Sequence, residues 1–334
     1  MKRSAHQQKD CAAESSGQEA PRYPGLGARS PRDMPRAGWK NILARVWARI
    51  GENNLGLVAA GVAFYGLLAL FPGLAALISV FGLLADPAQV AEQFSTMHSV
   101  LPSEAYELVD GQMRDLAARP AGALGAGLAG AILLSVWSAT RGTKSLIAAL
   151  NIAYDERERR GLLRLNLVAF AMTLFLIVLS VVVVALIVAL PVALNYVGLG
   201  SIAEAAVRWL RWPALAALVL LALAVLYRYG PARRRARWRW VSWGSALAVL
   251  VWLVASGLFS IYVSEFGNYN ATYGSLGAVI VLLMWLFISG LVVMLGAYVN
   301  AETERQTGCD TTHHGVQPRG KRGAYVADHL PDQS

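Results

Sequence analysis

The chain has 334 residues, of which 56% are hydrophobic types and 15% are charged. Soluble domains carry about 25% charged residues. The composition therefore excludes an ordinary soluble enzyme and a disordered chain, and two cysteines exclude a disulfide scaffold. Lys+Arg number 30 and Asp+Glu 21, a net charge of +9. A basic balance in a soluble protein suggests a polyanionic partner. Here the basic residues sit in alternate loops between long apolar runs, which is how orientation in a bilayer is encoded.

Residues 1–38 are polar, with Pro, Arg, Ser and Gly throughout, and read as a disordered tail without a cleavable signal peptide. The pattern then changes. Trp39, Ile42, Leu43, Val46, Trp47 and Ile50 follow the spacing of one helical face, with Lys40, Arg45 and Arg49 off it. A short basic helix with a Trp-bearing apolar face suits the membrane interface.

Six apolar runs follow, near 55–84, 121–140, 165–190, 213–227, 241–264 and 275–299, none holding Asp, Glu, Lys, Arg or His. A spanning helix needs about 20 residues. The fourth run is short unless Trp209–Trp212 or Tyr227–Tyr229 extend it. The first is over-long and holds Phe71-Pro72, which predicts a kink or break there. The expected fold is an all-α integral membrane protein: a six-span domain over 39–305 and a flexible tail over 306–334.

Six spans put both termini on one side, and basic residues settle which. Segments 1–54, 141–164, 228–240 and 300–334 hold 26 Lys+Arg, against four in 85–120, 192–212 and 262–274. Both tails and the loops 141–164 and 228–240 are therefore expected in the cytoplasm. That compartment predicts reduced thiols at Cys11 and Cys309, one in each tail. In the first outer loop, Ala105, Leu108, Val109, Met113 and Leu116 form one stripe, so 87–118 reads as two short amphipathic helices on the outer surface.

The second span opens Gly122-xxx-Ala126-xxx-Gly130. Small residues four apart let backbones approach, which favours internal packing and also admits a homo-oligomer contact. Trp137, Ser138, Arg141 and Lys144 mark its exit from the membrane. The two cations there suit either a phosphate head group or interfacial snorkelling. Arg233, Arg234, Arg235 and Arg237, interleaved with Trp238 and Trp240, form the densest charge cluster. Such interleaving can bind single-stranded nucleic acid. Between two spans it reads instead as an anionic-lipid contact, with no specific nucleic acid.

The segment Asn268-Tyr269-Asn270-Ala271-Thr272-Tyr273 carries more amide and phenol groups than a tight turn requires. With Tyr65 and Pro72 of the first run and Trp137 and Ser138 of the second, Asn268, Tyr269, Asn270 and Tyr273 complete a candidate substrate path. The five histidines lie in the tails and the outer loop, without metal-binding spacing. No phosphate-binding Gly loop or nucleophile elbow is present. No cofactor, metal or catalytic residue is therefore expected. The absence of ionisable groups from the apolar runs argues against a proton relay and leaves a weakly polar lipid groove.

Three segments together resemble the YihY/virulence factor BrkB family of bacterial inner-membrane proteins. They are Ala63 through Pro72, Trp137 through Tyr154, and Gly257 through Glu302, the last carrying Asn268-Tyr269-Asn270 and Gly296-Ala297-Tyr298-Val299-Asn300-Ala301-Glu302. The resemblance covers about residues 39–305. It implies six helices in the inner membrane with cytoplasmic termini. It also implies links to serum resistance and to envelope lipid or lipopolysaccharide export. Some members have borne the label ribonuclease BN, for which this chain offers no nuclease site. Where the family often places an acidic residue on the last span, this chain has Tyr298, so no membrane-edge carboxylate carries over at that position.

The expected function is a transporter or flippase-like protein for a lipid or lipopolysaccharide-related envelope component, with membrane lipids as partners. The alternative is a non-transporting envelope scaffold or serum-resistance factor.

Overall fold

The computed structural model describes residues 23–84, 121–184, 186–187, 201–265, 275–312 and 317–331. It is an all-helical membrane protein. A short 3-10 helix (Pro31–Asp33) precedes α1 (Arg36–Glu52), α2 (Leu55–Leu84), α3 (Ala121–Ala153), α4 (Leu162–Val184), α5 (Ser201–Tyr229), α6 (Trp238–Glu265), α7 (Ser275–Gln306) and a one-turn α8 (Tyr325–Asp328). Among the described residues, extended pairing is limited to an isolated bridge between Ala236 and Thr312.

Four helical segments are long and apolar enough to cross a membrane: Leu162–Val183, Trp209–Tyr229, Trp238–Val263 and Val279–Gln306. A fifth is counted if the bent pair Arg36–Glu52 and Leu55–Leu70 is one span. Large apolar side chains such as Leu163, Leu167, Leu253 and Leu258 point outward, as a hydrocarbon environment requires. The fourth apolar run is not short: α5 starts upstream of the Trp209–Trp212 segment and continues to Tyr229.

Of the kink or break expected at Phe71-Pro72, the break is absent, because α2 remains helical through Pro72. The chain turns earlier, by 70° between α1 and the start of α2. Asn54 adopts φ 48° at this corner. Asparagine tolerates this left-handed backbone better than most residues, so two polar residues interrupt the helix where proline does not.

The chain forms two compact units, one of residues 1–59, 146–254 and 291–334, the other of 60–145 and 255–290. In the first, α4 packs on α5. The close approach of α6 and α7 is made by glycines. A methyl group at Gly244 would lie 2.3 Å from the Gly296 carbonyl oxygen, and one at Gly296 would lie 2.4 Å from the Tyr227 hydroxyl. Asn300 locks this crossing. Its Oδ1 accepts from Gly244 N–H at 2.8 Å and its Nδ2 donates to the Val241 carbonyl at 3.2 Å.

The described parts of the two polar tails are packed, unlike the free tails expected from composition. Tyr23, Leu26, Ala28 and Met34 are buried, as are Thr307, Thr311, Thr312, Val326 and Leu330. Tyr23, Leu26 and Leu330 share one apolar cluster. Gly308 N–H donates to the Leu26 carbonyl at 2.8 Å, and Gln306 reaches the Pro24 carbonyl at 2.9 Å. Neither tail has enough apolar residues for a core of its own, so each is ordered by the other. Cys309 is buried, and Cys11 lies outside the described residues. Residues 1–22, the outer-loop helices predicted over 87–118 and the segment 266–274 lie outside the described residues.

Candidate functional site

In the first unit, α7 continues beyond its apolar run into Asn300-Ala301-Glu302-Thr303-Glu304-Arg305-Gln306, all buried. A buried charge persists only when it is paired, and each of these is. Glu302 Oε2 accepts from Arg45 Nε at 2.6 Å and Oε1 from an Arg49 Nη at 2.9 Å. Arg45 also donates to Gln306 Oε1 at 2.6 Å. The helical spacing that puts Ile42 and Val46 in the core brings Arg45 and Arg49, four residues apart, onto one edge of α1.

Asp155 joins this cluster from the end of α3, accepting from Arg49 and from Arg305. It ends the helix with φ 53°, a left-handed turn that aspartate accommodates better than most residues. Glu304 takes both Nη groups of Arg233 at 2.8 and 2.9 Å and the Thr311 hydroxyl at 2.8 Å. The Arg233 guanidinium lies 4.1 Å from the Tyr154 ring centroid.

Burial opposes the charge on Arg233 and on Arg49, yet the adjacent carboxylates hold both above the usual arginine value. Burial pushes the Tyr154 hydroxyl above its ordinary range. Glu156, which accepts from the Tyr325 N–H at 2.7 Å, is also pushed up by burial.

Chemically this cluster is a clamp. Its carboxylates are saturated by guanidinium groups, so they have no free pair of oxygens for a metal or for proton transfer. Among the described residues, no group of three or more His, Cys, Asp or Glu could hold a metal ion.

The second unit holds the described part of the candidate substrate path. On α3, Ser135, Ser138 and Thr143 are buried. A methyl group at Gly142 would contact Tyr65 Cβ at 3.6 Å, and one at Gly61 would contact Ser145 Oγ at 3.8 Å. Small residues thus bring α2 and α3 close along a seam of hydroxyl groups. Thr140 and Thr143 bond back to the carbonyls of Val136 and Ala139, which satisfies them within the helix. Tyr65 is partly exposed, and Trp137 is 57% exposed. The Arg141 guanidinium lies 5.0 Å from the Trp137 ring centroid. Tyr65, Trp137 and Ser138 therefore belong to one unit. The side chain of Pro72 and residues Asn268, Tyr269, Asn270 and Tyr273 lie outside the described set.

The predicted lipid-contact arginines divide. Arg141, Arg234 and Arg235 are exposed and Lys144 is partly so. Arg233 is corrected: its side chain has no exposure and is committed to Glu304. Arg237 is half-buried and donates to the Thr312 carbonyl at 2.9 Å. Desolvation lowers its pKa, with Arg239 adding to the effect. Sequence reading passed over Asp155, Glu304 and Arg305 and placed Arg45 and Arg49 merely off an apolar face. The available signal was the acidic pair Glu302 and Glu304 directly after an apolar run in a chain of net charge +9.

A helical membrane protein with a buried cluster of ion pairs at the end of α7 is the class defined by these features. The sequence model of the Virulence factor BrkB family matches residues 46–320, and the chain belongs to that family. It is 31% identical over 271 residues to the ribonuclease-like protein YfkH of Bacillus subtilis, covering 78% of this chain and 93% of that one. It is 25% identical over 299 residues to a UPF0761 membrane protein of Albidiferax ferrireducens, covering 87% of this chain and 67% of that one. A UPF0761 membrane protein of Aeromonas salmonicida is 27% identical over 265 residues, covering 77% and 86%. No solved structure matches the chain.

Proposed function

We propose that this chain is a six-span inner-membrane protein that moves a lipid or amphipathic envelope component, with both termini in the cytoplasm. The orientation is supported by the 26 basic residues in alternate segments against four in the others. An interfacial α1 is supported by Leu43 and Trp47, exposed at 53% and 80%.

The observation that carries the transport reading is the seam on α3. Ser135 and Ser138, with Tyr65 and Gly142 facing each other, are mildly polar and themselves uncharged, with Arg141 beside them over Trp137, which suits a head group sliding past and not a proton. The test is reconstitution into liposomes with a fluorescent phospholipid and a membrane-impermeant quencher. Wild type should expose the lipid to the quencher faster than empty liposomes. Replacing Asn268, Tyr269 and Asn270 with Ala, or Tyr65 with Ala, should slow this while the protein stays folded. Wild-type rates in both variants would remove the site assignment.

The packing of both tails onto the end of α7 favours a second reading, an envelope scaffold. Deleting residues 1–22 would then abolish the envelope phenotype without changing lipid movement. Ribonuclease chemistry has no support from the clamp, where arginines occupy Asp155, Glu302 and Glu304. Nuclease-free protein should show no metal-dependent RNA cleavage.

A further inference from the structure

Arg228 stands apart from the arginines of the clamp. It lies in the last turn of α5, next to Tyr229. Only 4% of it is exposed. One Nη donates to the Ala236 carbonyl, and Nε has no hydrogen-bond partner. Among the described residues it forms no ion pair. The guanidinium instead lies 4.7 Å from the Trp238 ring centroid and 5.6 Å from that of Tyr229. Exposed Arg235 covers the same Tyr229 ring at 4.7 Å. The two rings meet edge to face, 6.3 Å apart.

Two guanidinium groups therefore share one aromatic ring, and no carboxylate from the described chain neutralises either of them. Aromatic faces and a single carbonyl offset only part of the cost of burying the first. The location is informative too. Tyr229 ends one candidate span and Trp238 begins the next, so the cluster sits where a chain leaves and re-enters hydrocarbon. The anions abundant at that depth are lipid phosphates. Arginine pairs with a phosphate through charge-assisted hydrogen bonds, and tryptophan and tyrosine favour the head-group zone.

We propose that Arg228 and Arg235, framed by Tyr229 and Trp238, form a binding site for the phosphate of an anionic phospholipid. The lipid supplies the missing countercharge and holds the 230–237 connection at the membrane surface. This site is separate from the hydroxyl seam and does not depend on transport.

The test uses the full-length protein in a neutral detergent. Thermal unfolding and native mass spectrometry are recorded with phosphatidylglycerol or phosphatidylcholine added. Wild type should bind phosphatidylglycerol preferentially and melt at a higher temperature in its presence. R235Q removes an exposed cation and should weaken that preference about fivefold, the effect of one basic residue at an anionic surface, with unchanged lipid-free melting. R228Q should abolish the phosphatidylglycerol-induced rise. If R228Q does not fold, R235Q decides alone. An undiminished preference in R235Q overturns the site. A wild-type preference that vanishes in excess inorganic phosphate would overturn the lipid assignment by showing a free phosphate site, whereas persistence supports the lipid.

Discussion

Arg233 and Glu304 face each other in a two-pronged ion pair, 2.8 and 2.9 Å long, with neither side chain exposed to solvent. The pair joins the 230–237 connection to the end of α7. Both charges have left water, so the attraction must offset two desolvation costs. Removing one partner leaves the other charged and unpaired. R233Q or E304Q should therefore destabilise the protein by about 3–5 kcal/mol. The double variant should lose less than the sum of the singles, as measured by denaturant or thermal unfolding in detergent.

Glu302 anchors α1. Its side chain is fully buried, while Arg45 and Arg49 keep partial exposure. Solvent screening weakens the arginine side of these contacts. E302Q should cost about 2 kcal/mol, less than the loss of the Arg233–Glu304 pair. It should also speed proteolysis at the Asn53–Asn54 corner, because α1 loses its main polar attachment. Unchanged cleavage would mean that Ile42 and Val46, with the Arg49–Asp155 pair and the Arg45–Gln306 bond, are enough to hold α1.

The α6–α7 crossing depends on the absence of side chains. A methyl group at Gly244 meets a backbone carbonyl oxygen at 2.3 Å, and backbone cannot move aside as a flexible side chain can. G244A should destabilise by about 2 kcal/mol or more. G257A is the control, since a methyl there meets no described atom within 4 Å. It should be neutral or slightly stabilising in the same melt.

Glu158 accepts from Arg160 Nε and Nη at 2.7 Å and from Asn151 at 3.0 Å. These bonds, Arg160 foremost, lower its pKa to about 2. An unfolded glutamate titrates near about 4.3. The contribution of Glu158 is therefore present above the unfolded value and lost as pH falls towards the folded one. A carbon-13 titration of glutamate carboxyls should show a group with a midpoint of about 2, and E158Q should erase it. An R160Q variant should return that midpoint towards the ordinary range.

The helices were legible because the signals that form them are local. The apolar runs and the amphipathic period of 39–50 located α1, α2, α4 and α6 closely, whereas α5 begins 12 residues before its run at 213 and α7 continues 7 residues past its run at 299. Pro72 does not end α2, because an apolar environment and neighbouring turns can keep a helix continuous through a proline, while Asn53-Asn54 carries little composition signal. The tails misled for a different reason. Residues 23–35, 307–312 and 317–331 are polar when read singly, and their buried members pack in part on each other.

The division at the candidate sites follows the same line. The six arginines between 228 and 240 have one composition but several environments. Arg233 is sealed against Glu304, Arg237 is drawn to Thr312, Arg235 is exposed over Tyr229, and Arg228 is buried with aromatic rings. The chain's residue order determined which segments enter hydrocarbon, since twenty apolar residues in a row leave the backbone no better option than a helix. Which charges neutralise one another was decided by tertiary structure alone. Arg45 and Glu302 stand 257 residues apart, and only the packing of α1 against α7 brings them within hydrogen-bonding distance.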